Sequence, residues 1–473
     1  MYQFKDIASF HADLRSSKIT CSLVVSNILA EIKKKSHLNI YLETFDEEAL
    51  LLAQKIDQKI STGNAGKLAG VVVAIKDNIC YKGHKVSASS KILENFTSLY
   101  NSTVVERLLL EDAIIIGRTN CDEFAMGSSN ENSAFGPVLN PLDEKKVPGG
   151  SSGGSAAALA ANLCHVALGS DTGGSIRQPA SFCGLVGLKP SYGRVSRWGL
   201  IAYASSFDQI GPFTKNIEDA ALVLQVIAGK DEFDSTSSSK EVPEYNSKLK
   251  KQDKKYSVAV LKDCLTHPGL DPEVKSQFEQ KLSLLIANGH KVEMVDFPYL
   301  NYLVPTYYVL TTAEASSNLS RFDGVHYGFR SDEGKDLEST YKLSRAQGFG
   351  KEVQRRIMLG TFVLSSGYYD AYYSKAQKVR RLIQQKTFDI LDSFDFILTP
   401  STPGAAFDFG KNSKDPIKMY LEDIYTVQAN ITGVPAISIP MNSNSLGMPT
   451  GLQIMAKPFQ ELELFQFSLN FQN

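Results

Sequence analysis

Pro148-Gly149-Gly150-Ser151-Ser152-Gly153-Gly154-Ser155 runs straight into Ala156-Ala157-Ala158-Leu159-Ala160-Ala161, so a short glycine–serine loop opens an apolar, alanine-rich helix. A flexible linker of the same composition would not lead at once into a compact apolar helix. Gly149, Ser151 and Gly153 spell G-x-S-x-G, the nucleophile elbow of α/β-hydrolases. That elbow needs a strand immediately before it, and Asn140-Pro141-Leu142-Asp143-Glu144-Lys145-Lys146 is polar and turn-like. A phosphate-binding P-loop is excluded because no Gly-Lys-Ser/Thr follows.

Two other stretches belong with this loop. Val71-Val72-Val73-Ala74-Ile75-Lys76 is an apolar, β-branched run that ends in a lysine, and Asp171-Thr172-Gly173-Gly174-Ser175 is a second glycine-rich turn. Each has a plain reading on its own. Lys76 could be a lysine snorkelling from a strand end. The kinase reading of Val73-Ala74-Ile75-Lys76 fails because no glycine-rich loop precedes it and neither His-Arg-Asp nor Asp-Phe-Gly follows. Asp171-Thr172-Gly173 has no second Asp-Thr-Gly or Asp-Ser-Gly to complete a carboxylate dyad. Together the three stretches offer a base, a relay hydroxyl and a nucleophile for cutting an amide bond without histidine.

The chemistry sets the conditions. A serine hydroxyl is a weak nucleophile until a base takes its proton. None of the seven histidines lies in these loops, and His165, after the alanine-rich helix, reads as a packed residue. A lysine serves as base only when neutral. Burial can lower its pKa by about 3–5 units, and three units correspond to roughly 4 kcal/mol that the fold must supply. The apolar run before Lys76 provides such surroundings. The attacked carbonyl becomes an oxyanion, for which Thr172, Gly173 and Gly174 offer consecutive backbone N–H groups, each worth about 3–4 kcal/mol if lost. Asp171 and Arg177 read as a charge pair bracing this turn.

Composition narrows the class. The chain has 473 residues, is 43% hydrophobic and 21% charged, and carries a net charge of −1. These values fit an ordinary globular protein and lack the basic footprint of an independent nucleic-acid binder. No apolar stretch reaches the length of a membrane span, and Met1-Tyr2-Gln3-Phe4-Lys5-Asp6 lacks a signal-peptide layout. The cysteines at 21, 80, 121, 164, 183 and 264 form no CxxC pair, so a zinc site or disulfide framework is not expected, and reduced cytosolic thiols are.

Strand and helix signals alternate along the chain. Helices are expected over 21–35, 46–60, 104–110, 155–163, 272–287 and most of 340–393. Strands are expected over 71–75, 113–117, 256–261, 291–295, 396–398, 436–439 and 452–454. The pattern implies an α/β layered fold around one large sheet. A polar stretch over 230–256 reads as a surface excursion, and no internal repeat is present.

Lys76, Ser151 and Ser175, in this order and context, strongly resemble the amidase signature family, whose Gly/Ser-rich core corresponds here to about residues 65–190. The resemblance implies a single domain over 1–473, with a large mixed central β-sheet covered by helices on both faces. It implies Lys76 as base, Ser151 as a bridging serine on a cis peptide, and Ser175 as nucleophile. Segments 122–136, 313–324 and 355–373 extend it to one branch, the glutamine-hydrolysing members that serve tRNA-dependent amidation. A glutaminase must hold a zwitterion, with a guanidinium for the α-carboxylate and a carboxylate for the α-ammonium. The resemblance assigns Arg356 to the first, Asp423 to the second and Tyr308 to a third contact, with Arg355 and Tyr307 as adjacent alternatives. It further implies no cofactor and no metal in this chain. Amidotransferase subunits B and C are the implied partners. The first uses ATP and Mg2+, and the second, a small one, completes a cytoplasmic heterotrimer that binds mischarged Glu-tRNA(Gln), with Asp-tRNA(Asn) as a further possible acceptor. The alternative is a stand-alone amidase of the same family acting on another small carboxamide.

Overall fold

Val72-Val73-Ala74-Ile75-Lys76 is a strand buried at every position. Its unbroken apolar run, rather than an in–out alternation, is what a strand covered on both faces requires. In the computed structural model, which describes residues 2–411 and 416–472, this strand is part of one eleven-stranded mixed sheet. In chain order the strands are β1 (Tyr41–Thr44), β2 (Val72–Lys76), β3 (Ile114–Thr119), β4 (Val166–Asp171), β5 (Val186–Lys189), β6 (Gln209–Thr214), β7 (Ser257–Leu261), β8 (Lys291–Val295), β9 (Phe396–Pro400), β10 (Ala436–Ser443) and β11 (Pro449–Met455). Across the sheet they lie β1-β3-β2-β4-β6-β5-β10-β11-β9-β7-β8. β2 runs parallel to β3 and β4, and β7 runs parallel to β8 and β9. The antiparallel pairs β4–β6, β6–β5, β5–β10, β10–β11 and β11–β9 join these two parallel blocks.

Helices cover both faces, and alternate residues of single strands show it. Val258 and Val260 of β7 and Phe396 and Leu398 of β9 belong to one core, which includes helices Cys21–Lys34, Gly153–Ala160 and Pro272–Ala287. Ala259, Leu261 and Ile397 face the other core, built on helices Leu300–Asn318, Lys351–Leu364 and Lys375–Ser393. The α/β class and the covered mixed sheet expected from the sequence are what the structure has.

Local signals explain most boundaries. Thr20 caps helix Cys21–Lys34 by accepting from Leu23 N–H, and Asp271 caps Pro272–Ala287, with Pro272 in the first turn where its missing N–H costs nothing. The alanine-rich helix begins at Gly153, before the expected Ser155. A side chain at Gly154 would sit 2.2 Å from the Asn120 carbonyl oxygen, so only glycine lets this helix lie against the end of β3. Four strands lie outside the sequence expectation: β1, β4, β5 and β6. β4 matters most, because Asp171 ends it and the Thr172–Ser175 turn follows directly. Helix Leu300–Asn318, which contains Pro305, lies outside it too.

Candidate active site

Lys76 ends β2, and Ser170 and Asp171 end β4, its parallel neighbour. Parallel pairing therefore brings the lysine to the same sheet edge as the turn that carries Ser175. The glycine–serine loop closes over this edge. Its Asn130-bonded Gly154 N–H opens the alanine-rich helix, and its Ser152 N–H donates to the Ser175 carbonyl at 3.2 Å. The Gly150–Ser151 peptide bond is cis.

Lys76 is fully buried among hydroxyls. Nζ lies 2.6 Å from Ser151 Oγ, 2.9 Å from Ser152 Oγ and 3.0 Å from Ser170 Oγ. Burial pushes its ammonium down to about 8, against the opposing pull of Cys121, Asp122, Asp171 and Asp208. A neutral amine keeps two N–H donors and one lone pair, so one of the three hydroxyls must point its proton at Nζ. The Ser152 proton is committed to the Ser170 carbonyl at 3.0 Å. That leaves Ser151 and Ser170, of which Ser151 is the nearer.

Ser175 is buried in the same region, but its hydroxyl makes no hydrogen bond to Ser151 or to any other described residue. The turn that carries it is held from below. Asp171 accepts from Gly174 N–H at 2.9 Å and from Ile176 N–H at 3.2 Å. Arg177 donates to both oxygens of the Asp171 carboxylate at 3.0 and 2.9 Å. Burial works against the Asp171 charge, yet Arg177, Lys189 and Asn430 hold its carboxyl at about 2. Arg177 also reaches the Thr426 carbonyl at 2.8 Å and Asn430 Oδ1 at 2.6 Å, and it bonds Gln453 Oε1. Both charges of the bracing pair are wholly buried. This pairing is the one the sequence suggests, with partners from the far end of the chain added.

The expected oxyanion donors divide. Gly174 has its N–H committed to Asp171, so it is not open to a substrate oxygen in this structure. Among the described residues, the N–H groups of Thr172, Gly173 and Ser175 have no partner, so two of the three expected donors stay free and Ser175 is a further one. The Thr172 hydroxyl donates to Asp208 Oδ1 at 2.7 Å and fixes the start of the turn. Gly174 has φ +136°, and a side chain there would meet Thr426 Oγ1 at 2.2 Å. Thr426 in turn donates to the Gly173 carbonyl at 2.6 Å.

Tyr308, Arg356 and Asp423 form a cluster. Tyr308 donates its hydroxyl proton to Asp423 Oδ2 at 3.3 Å, and the Arg356 guanidinium lies 5.1 Å from the centre of the Tyr308 ring. Arg356 is buried, with Nε on Glu352 at 2.8 Å and Nη1 on the Tyr203 hydroxyl at 3.0 Å. Its Nη2 has no hydrogen bond among the described residues, and the rings of Tyr203, Tyr308 and Tyr420 surround the guanidinium. Arg355, by contrast, has a 51% exposed side chain paired with Glu352, which separates the two alternatives. Burial raises the Asp423 carboxyl to about 7, against Ser128, which donates at 2.8 Å, and against Arg356. Tyr307 takes a different place. Its hydroxyl lies 2.6 Å from where a Gly173 side chain would be, against the turn itself.

Sequence reasoning misses several members of this centre. Ser152 and Ser170 complete the lysine's hydroxyl cage, and Tyr203, Glu352 and Tyr420 frame Arg356, with Tyr420 stacked on Tyr308 at 3.9 Å. Thr426 and Asn430 lie three and seven residues after Asp423, a one-face helical spacing that could have marked them. Nothing in the local sequence marks Tyr203. The described residues contain no group of three or more His, Cys, Asp or Glu arranged to hold a metal ion.

The sequence matches the Amidase family over residues 24–465. It is 50% identical over 471 residues to the A subunit of the glutamyl-tRNA(Gln) amidotransferase of Chlorobium luteolum, covering 99% of this chain and 97% of that one. It is 51% identical over 455 residues to the corresponding subunit of Koribacter versatilis, covering 96% and 95%. Among solved structures, the same subunit from Thermotoga maritima is similar with a TM-score of 0.77 and 40% identity, covering 96% of this chain and 94% of that one. The peptide amidase of Stenotrophomonas maltophilia is similar with a TM-score of 0.83 and 28% identity, covering 100% and 97%.

Proposed function

The chain belongs to the amidase family, and from that membership we propose that it is the glutamine-hydrolysing subunit of a tRNA-dependent amidotransferase, with Lys76, Ser151 and Ser175 as its catalytic residues. Similarity of about half the residues over nearly the whole length of subunits so named supports the reading. The observation that carries it within the molecule is the cluster of Arg356, Asp423 and Tyr308, whose two opposite charges match the two ends of an amino acid. Asp423 is tied to the nucleophile's turn through Thr426, which bonds both the Asp423 and the Gly173 carbonyls.

Glutamine enters with its α-carboxylate on Nη2 of Arg356 and its α-ammonium on Asp423. Its side-chain carboxamide then reaches Ser175. Neutral Lys76 accepts a proton through Ser151 as Ser175 Oγ attacks the amide carbon. Binding brings the Ser175 hydroxyl, unpartnered in the free protein, into line with Ser151; catalytic hydrogen bonds often tighten only in the substrate complex. The developing oxyanion takes the N–H groups of Gly173 and Ser175. The C–N bond breaks, and the nitrogen leaves as ammonia with the proton returned from Lys76. Water then attacks the γ-glutamyl ester, gives its proton to the same relay, and releases glutamate and free Ser175.

Subunits B and C complete the assembly. The first, with ATP and Mg2+, activates Glu-tRNA(Gln) (and Asp-tRNA(Asn) where that acceptor is served) and consumes the ammonia, while the second, a small one, stabilises the pair. The proposed charged-tRNA substrate is the ground for reading the assembly as cytoplasmic. No helix among the described residues is long and apolar enough to cross a membrane. The test is to co-express this chain with subunits B and C and follow glutamine amide nitrogen into Gln-tRNA(Gln). Transfer that disappears with Ser175→Ala supports the reading. High activity of the chain alone on unrelated amides, indifferent to the other two subunits and to tRNA, would overturn it in favour of a stand-alone amidase.

A further inference from the structure

Gln178 is wholly buried, and both ends of its side-chain amide are used. Oε1 accepts from Gly150 N–H at 2.8 Å, and Nε2 donates to the Ser128 carbonyl at 2.6 Å. Its backbone N–H donates to the Gly174 carbonyl at 2.8 Å, at the start of the helix that follows Ser175. Ser128 is the residue whose hydroxyl donates to Asp423 at 2.8 Å. One side chain therefore spans from the residue preceding Ser151 to the segment that holds Asp423. The glycine loop is fitted to it, since a side chain at Gly149 would lie 2.8 Å from Gln178 Oε1.

We propose that Gln178 is a positioning residue that sets the Ser151 peptide in register with the α-ammonium subsite, so that recognition of the amino acid and placement of the relay serine depend on one amide. The inference rests on the function proposed above. An uncharged amide suits the position, because it accepts at one end and donates at the other with no buried charge. Methionine has the length and neither function. An ionised glutamate accepts at both ends and faces the Ser128 carbonyl with a like partial charge. A protonated glutamate restores both bonds, its carbonyl accepting from Gly150 and its O–H donating to Ser128.

These differences separate a positioning role from a merely satisfied core amide. The assay is amide hydrolysis by the full chain assembled with subunits B and C, on L-glutamine and on glutaramate, which keeps the carboxamide and carboxylate but lacks the α-ammonium. In Gln178→Met, kcat on glutamine falls about tenfold or more, and the preference for glutamine over glutaramate shrinks by a similar factor. In Gln178→Glu, the ratio of variant to wild-type kcat rises as the pH is lowered from about 9 to about 6, as the buried carboxyl gains its proton. An unchanged substrate preference in Gln178→Met, or a Gln178→Glu ratio flat across that range, overturns the proposal. Should Gln178→Met not fold, the Gln178→Glu ratio decides alone. A wild-type enzyme that does not prefer glutamine sinks the function reading instead. The Gln178→Glu ratio, measured on whichever amide the wild type hydrolyses, then still tests the placement of Ser151.

Discussion

Lys76 Nζ and Ser151 Oγ lie 2.6 Å apart across 75 residues of chain, and solvent reaches neither side chain. The strand supplies the burial that lowers the amine, and the glycine loop supplies the hydroxyl that can deliver a proton to it. Base strength here is a property of the packing.

The first prediction concerns that base. Only neutral Lys76 accepts a proton, and burial holds its amine at about 8. At saturating glutamine, kcat rises as pH increases through about 8 and levels above it. Lys76→Met lowers kcat by about 10²–10⁴-fold, the range for a lost general base, while circular dichroism shows the fold retained. A variant with kcat within about threefold of wild type would exclude Lys76 from proton transfer.

A second prediction follows from Asp423. Burial raises its carboxyl to about 7, so the charged form that pairs with an α-ammonium prevails only above that pH. As pH falls through about 7 the partner is lost, and KM for glutamine rises. Glutaramate, without an ammonium, shows no such rise. In Asp423→Asn the two substrates acquire the same pH dependence of KM; a glutamine KM that still climbs on acidification in this variant would point to another group.

Neighbouring arginines give a third. Arg356→Ala removes the buried guanidinium proposed to hold the α-carboxylate and raises KM for glutamine about a hundredfold, from the loss of a charged hydrogen-bonded pair. Arg355→Ala, at a half-exposed side chain on Glu352, changes KM by less than about twofold. Equal effects of the two substitutions, read from initial-rate kinetics, would contradict the placement of the carboxylate.

The fourth is a stability prediction. Asp171→Ala leaves Arg177 as an uncompensated buried charge, which costs about 3–5 kcal/mol in urea unfolding. The folded Asp171 carboxyl is held at about 2, below its ordinary 3.8. A depressed carboxylate stabilises the fold above its unfolded pKa and loses that contribution as pH falls through the folded value. The wild type therefore loses about 2 kcal/mol between about pH 4 and pH 2, and Asp171→Ala loses less over the same interval. Parallel pH curves for the two proteins would show that Asp171 is not the group responsible.

Legibility in the sequence follows the physics of each element. β2 and β3 are readable because continuous β-branched runs have few other uses. β4 is not, since Val166-Ala167-Leu168-Gly169-Ser170-Asp171 mixes small and polar residues that are there to contact the lysine and the turn, against the usual strand preference. Lys76, Ser151 and Ser175 are legible as a set because their flanking glycines and apolar run are chemically unusual. Gln178, Tyr203 and Ser128 are not, because each acts by closing a gap between segments distant in sequence, and distance in sequence carries no local mark. The adjacent pairs Arg355/Arg356 and Tyr307/Tyr308 separate only by burial and facing, which depend on how helices Lys351–Leu364 and Leu300–Asn318 roll against the sheet. Pro305 masks the second helix altogether.

Arg177 grips Thr426, Asn430 and Gln453, all more than two hundred residues downstream of the serine it steadies. A ribosome releases the nucleophile's turn long before it makes these anchors. The growing polypeptide thus carries Ser175, with the local Asp171–Arg177 brace, before these outer anchors exist. A fragment stopping short of Thr426 would hold Lys76, Ser151 and Ser175 with their local contacts but lack the partners that Arg177 takes from Thr426, Asn430 and Gln453.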